Sequence, residues 1–249
     1  MRKLVAIGGG EIGRPGYNIE TTEIDHEIVA LTGKSRPRAL LIPTASGDSE
    51  MYFDCFQKHF GDGLGCATDV LHLIKSRPAG QEIEEKILGS DLVYVGGGNT
   101  ARMLRIWRKC GVDDILRKAW DRGIVLSGLS AGAICWFRFG CSDSRKYSDP
   151  DASLVRITGL NFLNASLCPH YDVEADRRPK LHEMMVRTPG IAIALDNCCA
   201  LEIADSSYRL VRSRGSARGY RVYRAAGTVV EEELPRDGKY RPLTGLLSR

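Results

Sequence analysis

Two glycines bracket a serine in Gly128-Leu129-Ser130-Ala131-Gly132, directly after the apolar run Ile124-Val125-Leu126-Ser127. A serine on a tight strand-to-helix turn is the arrangement of an acyl-transfer nucleophile. Small neighbours tolerate the strained backbone and let the hydroxyl project above the sheet. The carboxyl end of a strand is also where open α/β sheets place their sites. The helix expected from Ala131 points amide groups at a developing oxyanion, which makes the Ala131 N–H a candidate donor. A glycine-bounded turn also serves plain packing, so the serine needs partners before it means chemistry.

A serine hydroxyl is a weak nucleophile and requires a base. Of the five histidines, His26 and His59 fall on expected helices, His72 on an expected strand, and His182 in a helix expected over Glu174 to Val186. His170 differs, because Pro169-His170-Tyr171-Asp172 follows the apolar strand Ala165-Ser166-Leu167. A strand-end loop on the Ser130 edge is where a base belongs. The base in turn needs an orienting group. Asp143, Asp149 and Asp151 lie between serine and histidine, the chain order of α/β-hydrolases, while Asp196 and Asn197 offer a second choice after His170. Both choices stay open on the sequence. Gly96-Gly97-Gly98-Asn99-Thr100 ends another strand without the spacing of a phosphate loop. The Gly97 or Gly98 amide is therefore a candidate second oxyanion donor, and Gly8-Gly9-Gly10 is expected to shape the rim of the same cleft.

Together these segments resemble the S51 peptidases, the family of peptidase E (an aspartyl dipeptidase) and the cyanophycinases. The resemblance rests on Val95 to Thr100, Gly128 to Ala133, Pro169-His170-Tyr171 and Gly190 to Leu201. It implies a fold similar to class I glutamine amidotransferases, with Ser130 as nucleophile, His170 as base, and donors from Gly98 and Ala131. Where relatives usually carry an acid after His170, this chain has Asn197 preceded by Asp196. An Asn can orient an imidazole but cannot offset imidazolium charge. For an aspartyl substrate the resemblance asks for an arginine on the β-carboxylate, with Arg177 and Arg178 as candidates, and for an acid such as Asp143 on the free α-amine.

The elements that must position these residues follow a clear pattern. Apolar strands alternate with amphipathic helices through the first half: strands at Leu4–Ile7, Ala39–Ile42, Thr68–Ile74 and Asp91–Val95, helices at Thr21–Leu31, Ser49–Phe60, Gln81–Leu88 and Val112–Asp121. This alternation predicts a doubly wound, mostly parallel sheet flanked by helices, of flavodoxin-like α/β class. Five later strands, Ile191–Leu195, Ala200–Ala204, Tyr208–Arg212, Gly219–Arg224 and Thr228–Glu232, are expected as an antiparallel meander extending or flanking that sheet. With 249 residues and no linker or repeat, one domain is expected.

The net charge of +4 is scattered, which argues against nucleic acid and membrane surfaces as partners. The eight cysteines show no C-x-x-C spacing, and the apolar run after Met1-Arg2-Lys3 is too short for a signal peptide. The expected protein is a cytoplasmic, metal- and cofactor-independent serine exopeptidase, monomeric or homodimeric, that cleaves short peptides after an N-terminal Asp. The alternatives are an amidase or cyanophycinase-like hydrolase of a non-peptide or branched amide, and a non-catalytic binding protein on the same fold.

Overall fold

The computed structural model describes residues 1–188 and 190–248. The apolar runs of the first half form β1 (Lys3–Ile7), β2 (Arg38–Ile42), β3 (Ala67–Val70), β4 (Leu92–Val95) and β5 (Val125–Leu129). Between them lie α1 (Thr22–Ala30), α2 (Glu50–Phe56), α3 (Gly80–Gly89), α4 (Thr100–Cys110) and α5 (Val112–Asp121). The strands pair in parallel in the order β1-β5-β4-β2-β3. Alternate side chains leave opposite faces. Leu4, Ala6, Leu40, Ile42, Val93 and Leu126 enter one core with α3, α4 and α5, while Val5, Ile7, Leu41, Tyr94 and Val125 enter another with α1 and α2. Burial on both faces explains why these strands read as continuous apolar runs.

Two local departures have visible causes. The strand expected to reach Ile74 stops at Val70, because the buried Asp48 carboxylate accepts the amides of Ile74 (2.5 Å) and Lys75 (3.1 Å) and draws the chain off the sheet. The helix expected through Phe60 is α-helical to Phe56 and then widens into a π-helical segment, Gln57–Gly63, with the consecutive residues His59 and Phe60 both buried.

The second half departs further from the expected single meander. After α6 (Ala131–Ile134) come β6 (Phe137–Ser142), β7 (Val155–Thr158), β8 (Leu163–Cys168), α7 (Arg177–Arg187) and β9 (Ile191–Leu195). They are followed by β10 (Cys199–Ala204), β11 (Ser207–Arg212), β12 (Gly219–Ala225), β13 (Thr228–Glu233), β14 (Arg241–Pro242) and α8 (Leu243–Leu247). Only β10, β11 and β14 extend the main sheet, antiparallel beyond β1, to give eight strands. The others build a second sheet of six, in the order β13-β12-β9-β8-β6-β7. Its inner face, including Leu163, Leu167, Ile193 and Leu195, joins the core shared with α3, α4 and α5, and its outer face packs Ala192 and Ala194 near Leu181 and Met185 of α7. Strands β9 and β10 are neighbours in sequence yet belong to different sheets. The chain crosses between them at Asp196-Asn197-Cys198, where Cys198 takes a left-handed φ of 63°. No described helix is long and apolar enough to cross a membrane.

Candidate active site

Ser130 ends the central strand β5 at φ 55° and ψ −109°, a conformation that costs an ordinary residue about 1–3 kcal/mol. The surrounding glycines are what make the turn possible. A Cβ on Gly132 would overlap the Val95 carbonyl, and one on Gly128 would overlap the Gly132 carbonyl and lie 2.9 Å from that of Val95. The expected helix after Ser130 is only one turn, Ala131–Ile134, before the chain enters β6.

His170 arrives from the second sheet, just past β8, also with a left-handed φ of 55°. Its Nδ1 lies 2.7 Å from Asn197 Oδ1, which can only accept, so Nδ1 carries the proton. Nε2 is then left as the acceptor for the Ser130 hydroxyl, 2.8 Å away. This is the tautomer that can take a proton from serine. Burial lowers the His170 pKa below the ordinary histidine value; the Asn197 hydrogen bond opposes this, and the charge of Arg177 adds to it. The imidazole is therefore neutral, and able to act as a base, at neutral pH.

The tail of β1 sets these segments against one another. The carbonyls of three successive residues accept from three separate parts of the site: Ile7 from Ser130 N (3.1 Å), Gly8 from His170 N (3.0 Å) and Gly9 from Cys198 N (2.8 Å). Side chains have no room there. A Cβ on Gly8 would strike the Asp196 carbonyl, and one on Gly9 would overlap Asn197 Oδ1 and His170 Nδ1. Gly8 and Gly9 therefore lie behind the imidazole rather than merely on the rim expected of them. Asn197 is fixed further by its amide, which donates to Asp172 Oδ1 (2.8 Å), and by Arg214, which bridges Asp172 (2.6 Å) and the Asn197 carbonyl (3.2 Å).

The other candidates fall in different places. Asp196 faces away from His170 and accepts the Arg218 amide at 2.9 Å; burial pushes its carboxyl up to about 6. Asp149 and Asp151 are exposed on the loop after β6, and Asp149 Oδ1 accepts only the Asp151 amide. Asp143 lines the cavity in front of Ser130. Gly98 lines it too, with φ 136° and no space for a Cβ against the Ala45 carbonyl. The Gly97 amide is occupied, donating to Tyr52 Oη at 3.3 Å. Those of Gly98 and Ala131 donate to no protein acceptor among the described residues.

Arg177 and Arg178 do not line the cavity. The Arg177 side chain is 1% exposed and engaged: it pairs with Glu174 (2.7 Å), donates to the Cys141 carbonyl (2.8 Å) and stands 4.0 Å from Asp143. Arg178 points to the opposite side of α7, where it pairs with Glu231 (2.9 Å) over the Tyr171 ring. Both begin a helix at neighbouring positions, and sequence alone does not show which way either turns.

The cavity holds about 500 Å³ and opens onto both Ser130 and His170. Ile12, Met51, Tyr52, Cys55, Leu129 and Tyr147 give it apolar walls, and Glu11, Arg14 and Asp143 are its charged groups. Burial pushes the Tyr52 phenol up to about 12, so it remains neutral as it accepts from the Gly97 amide. Tyr52 lies in no glycine- or histidine-bearing motif, whereas Glu11 and Arg14 follow directly on Gly8-Gly9-Gly10 and Gly13, and that glycine-rich run is the signal that could have found them.

Comparison with known proteins finds relatives along most of the chain. The model of the family "Peptidase family S51" matches residues 4–211. The chain is 38% identical over 239 residues to the "Uncharacterized peptidase YgaJ" of Bacillus subtilis, covering 94% of this chain and 98% of that protein. It is 28% identical to "Peptidase E" of Nostoc sp., over 76% and 78% of the two chains. The crystal structure of a peptidase from an acI-B1 Actinobacterium superposes with a TM-score of 0.74 over 97% of both chains at 19% identity, a likeness of fold. With its family model matched over most of its length and a relative aligned nearly end to end, the chain belongs to peptidase family S51.

Proposed function

We propose that this peptidase is a serine exopeptidase that hydrolyses short peptides with an N-terminal Asp through an acyl-enzyme. The observation that carries the reading is the hydrogen-bonded series Ser130–His170–Asn197 at the floor of a cavity large enough for a dipeptide. Ser130 Oγ attacks the scissile carbonyl while His170 Nε2 takes its proton. The oxyanion is received by the Gly98 and Ala131 amides. His170 then protonates the leaving amine, and a water activated by the same nitrogen cleaves the ester. Asn197 holds the imidazole in register, although as a neutral amide it leaves the imidazolium charge without an ionic partner.

Asp143 is suited to the free α-ammonium of the substrate, since it faces the cavity and its nearest cation, Arg177, stands 4.0 Å away. Arg177 serves here by position, fixed by Glu174 behind Asp143. The acidic preference is supported by the relationship to peptidase E. Eight unpaired thiols favour a reducing, cytoplasmic setting. The test is Ser130→Ala assayed on Asp-Leu. Turnover should vanish while circular dichroism and the melting temperature stay at wild-type values, and retained turnover would falsify the serine mechanism.

A further inference from the structure

Arg14 is the one arginine lining the cavity among the described residues. In the free enzyme its guanidinium is occupied. Nε donates to Glu11 Oε2 at 3.0 Å, Nη2 donates to Glu11 Oε1, and the group stacks 4.5 Å from the centre of the Tyr17 ring. The two partners are held unequally. Glu11 is clamped by its backbone: its carbonyl accepts from Glu20 N (2.8 Å) and Thr21 Oγ1 (3.3 Å), and its amide donates to Glu20 Oε2 (3.2 Å). Arg14 sits at the tip of the loop, between Gly13 (φ 101°) and Gly16 (φ 86°), with its side chain 51% exposed. A glutamate with a well-anchored backbone thus pairs with a guanidinium on an exposed tip, whose backbone is tied by the Arg14 carbonyl accepting from Tyr17 N (2.9 Å), inside the cavity that contains Ser130. Ion pairs at such exposure are weak, so a second carboxylate of equal geometry can replace the first.

We infer that Arg14 is the receptor for the side-chain carboxylate of the substrate's N-terminal residue, and that Glu11 is a built-in competitor displaced when an acidic residue enters. This rests on the reading of the chain as a peptidase for acidic N-termini, and it assigns the group that reads the acid. A neutral side chain leaves Arg14 on Glu11 and gains nothing from it. An acidic one exchanges one bidentate pair for another, and Glu11 is released toward solvent. Selectivity is then set by the difference between two carboxylates competing for one arginine.

The experiment measures kcat/KM for Asp-Leu against the near-isosteric Asn-Leu, and reads their ratio within each enzyme preparation. The ratio does not depend on how much of a variant is folded. Arg14→Met should lower the ratio about tenfold, because the acid loses a pair that in the wild type only replaces the Glu11 pair and then meets an unpaired Glu11 carboxylate, with Arg14→Lys in between. Glu11→Gln should raise the ratio severalfold, through a lower KM for Asp-Leu. An unchanged ratio in Arg14→Met overturns the receptor, and a lowered ratio in Glu11→Gln overturns the competitor. The outcomes separate from the underlying reading. A wild-type ratio near one removes the acidic specificity and the receptor together, whereas a high wild-type ratio that survives Arg14→Met removes the receptor alone.

Discussion

Among the described residues, two clusters join a serine or threonine hydroxyl, an imidazole and a side-chain carbonyl group. One is Ser130–His170–Asn197. The other is Thr21–Asp25–His59, beneath the loop that carries Glu11, where Asp25 Oδ2 accepts from Thr21 Oγ1 (2.6 Å) and contacts His59 Nε2 at 2.8 Å. By residue type the Thr21 cluster is the stronger candidate, since it has a true carboxylate. Its order is wrong for catalysis. The acid stands between hydroxyl and imidazole, so the imidazole does not touch the hydroxyl, and both Thr21 and Asp25 are fully buried. In the Ser130 cluster the imidazole is in the middle and the hydroxyl faces a cavity. Connectivity and access separate a reactive group of residues from a structural one more sharply than composition does.

That contrast can be broken from either end. His170→Gln should lower kcat/KM by about 1,000-fold or more while leaving the unfolding transition in place, measured by steady-state kinetics beside a urea titration. His59→Gln should do the reverse. Losing the partner of a fully buried Asp costs about 3 kcal/mol of stability, seen as a lower urea midpoint, and kcat per folded molecule should hold within about threefold. If His59→Gln instead abolished kcat in fully folded protein, the division of roles would collapse. Gly9→Ala probes the seam behind the imidazole. Displacing His170 or Asn197 by about 1 Å should cut kcat about 100-fold with a smaller change in KM. Least disruptive is Asn197→Asp. Because burial places the wild-type His170 pKa below about 6.5, the acid limb of kcat/KM should fall below that pH. An adjacent carboxylate favours the imidazolium, so the limb should move up by about one pH unit in the variant. A limb that stayed put would mean that the ionisation seen in the rate is not that of His170.

The parts of the site legible in sequence are those in which one residue carries its own local signal. The glycines flanking Ser130 are needed within their own turn, and Pro169-His170 ends a clear apolar strand. The parallel half of the fold is legible for the same reason, since each strand and helix announces its own period. The rest depends on contacts between distant segments. Strand β9 reads as one more strand of a meander, and only its partners β8 and β12 assign it to the second sheet. Asp196 and Asn197 are distinguishable once the crossing at Cys198 aims one at Arg218 and the other at His170. Arg177 and Arg178 carry the same charge one position apart, and the Cys141 carbonyl decides which of them is buried.

Ser130 belongs to the main sheet and His170 to the second, so the 2.8 Å contact between them spans the joint between two layers. Proton transfer tolerates far less slack than a hydrophobic interface does. As that joint loosens on warming or in dilute urea, the reaction should fail while both layers still keep their strands, and lost turnover becomes an early gauge of the interface, ahead of any spectroscopic sign of melting.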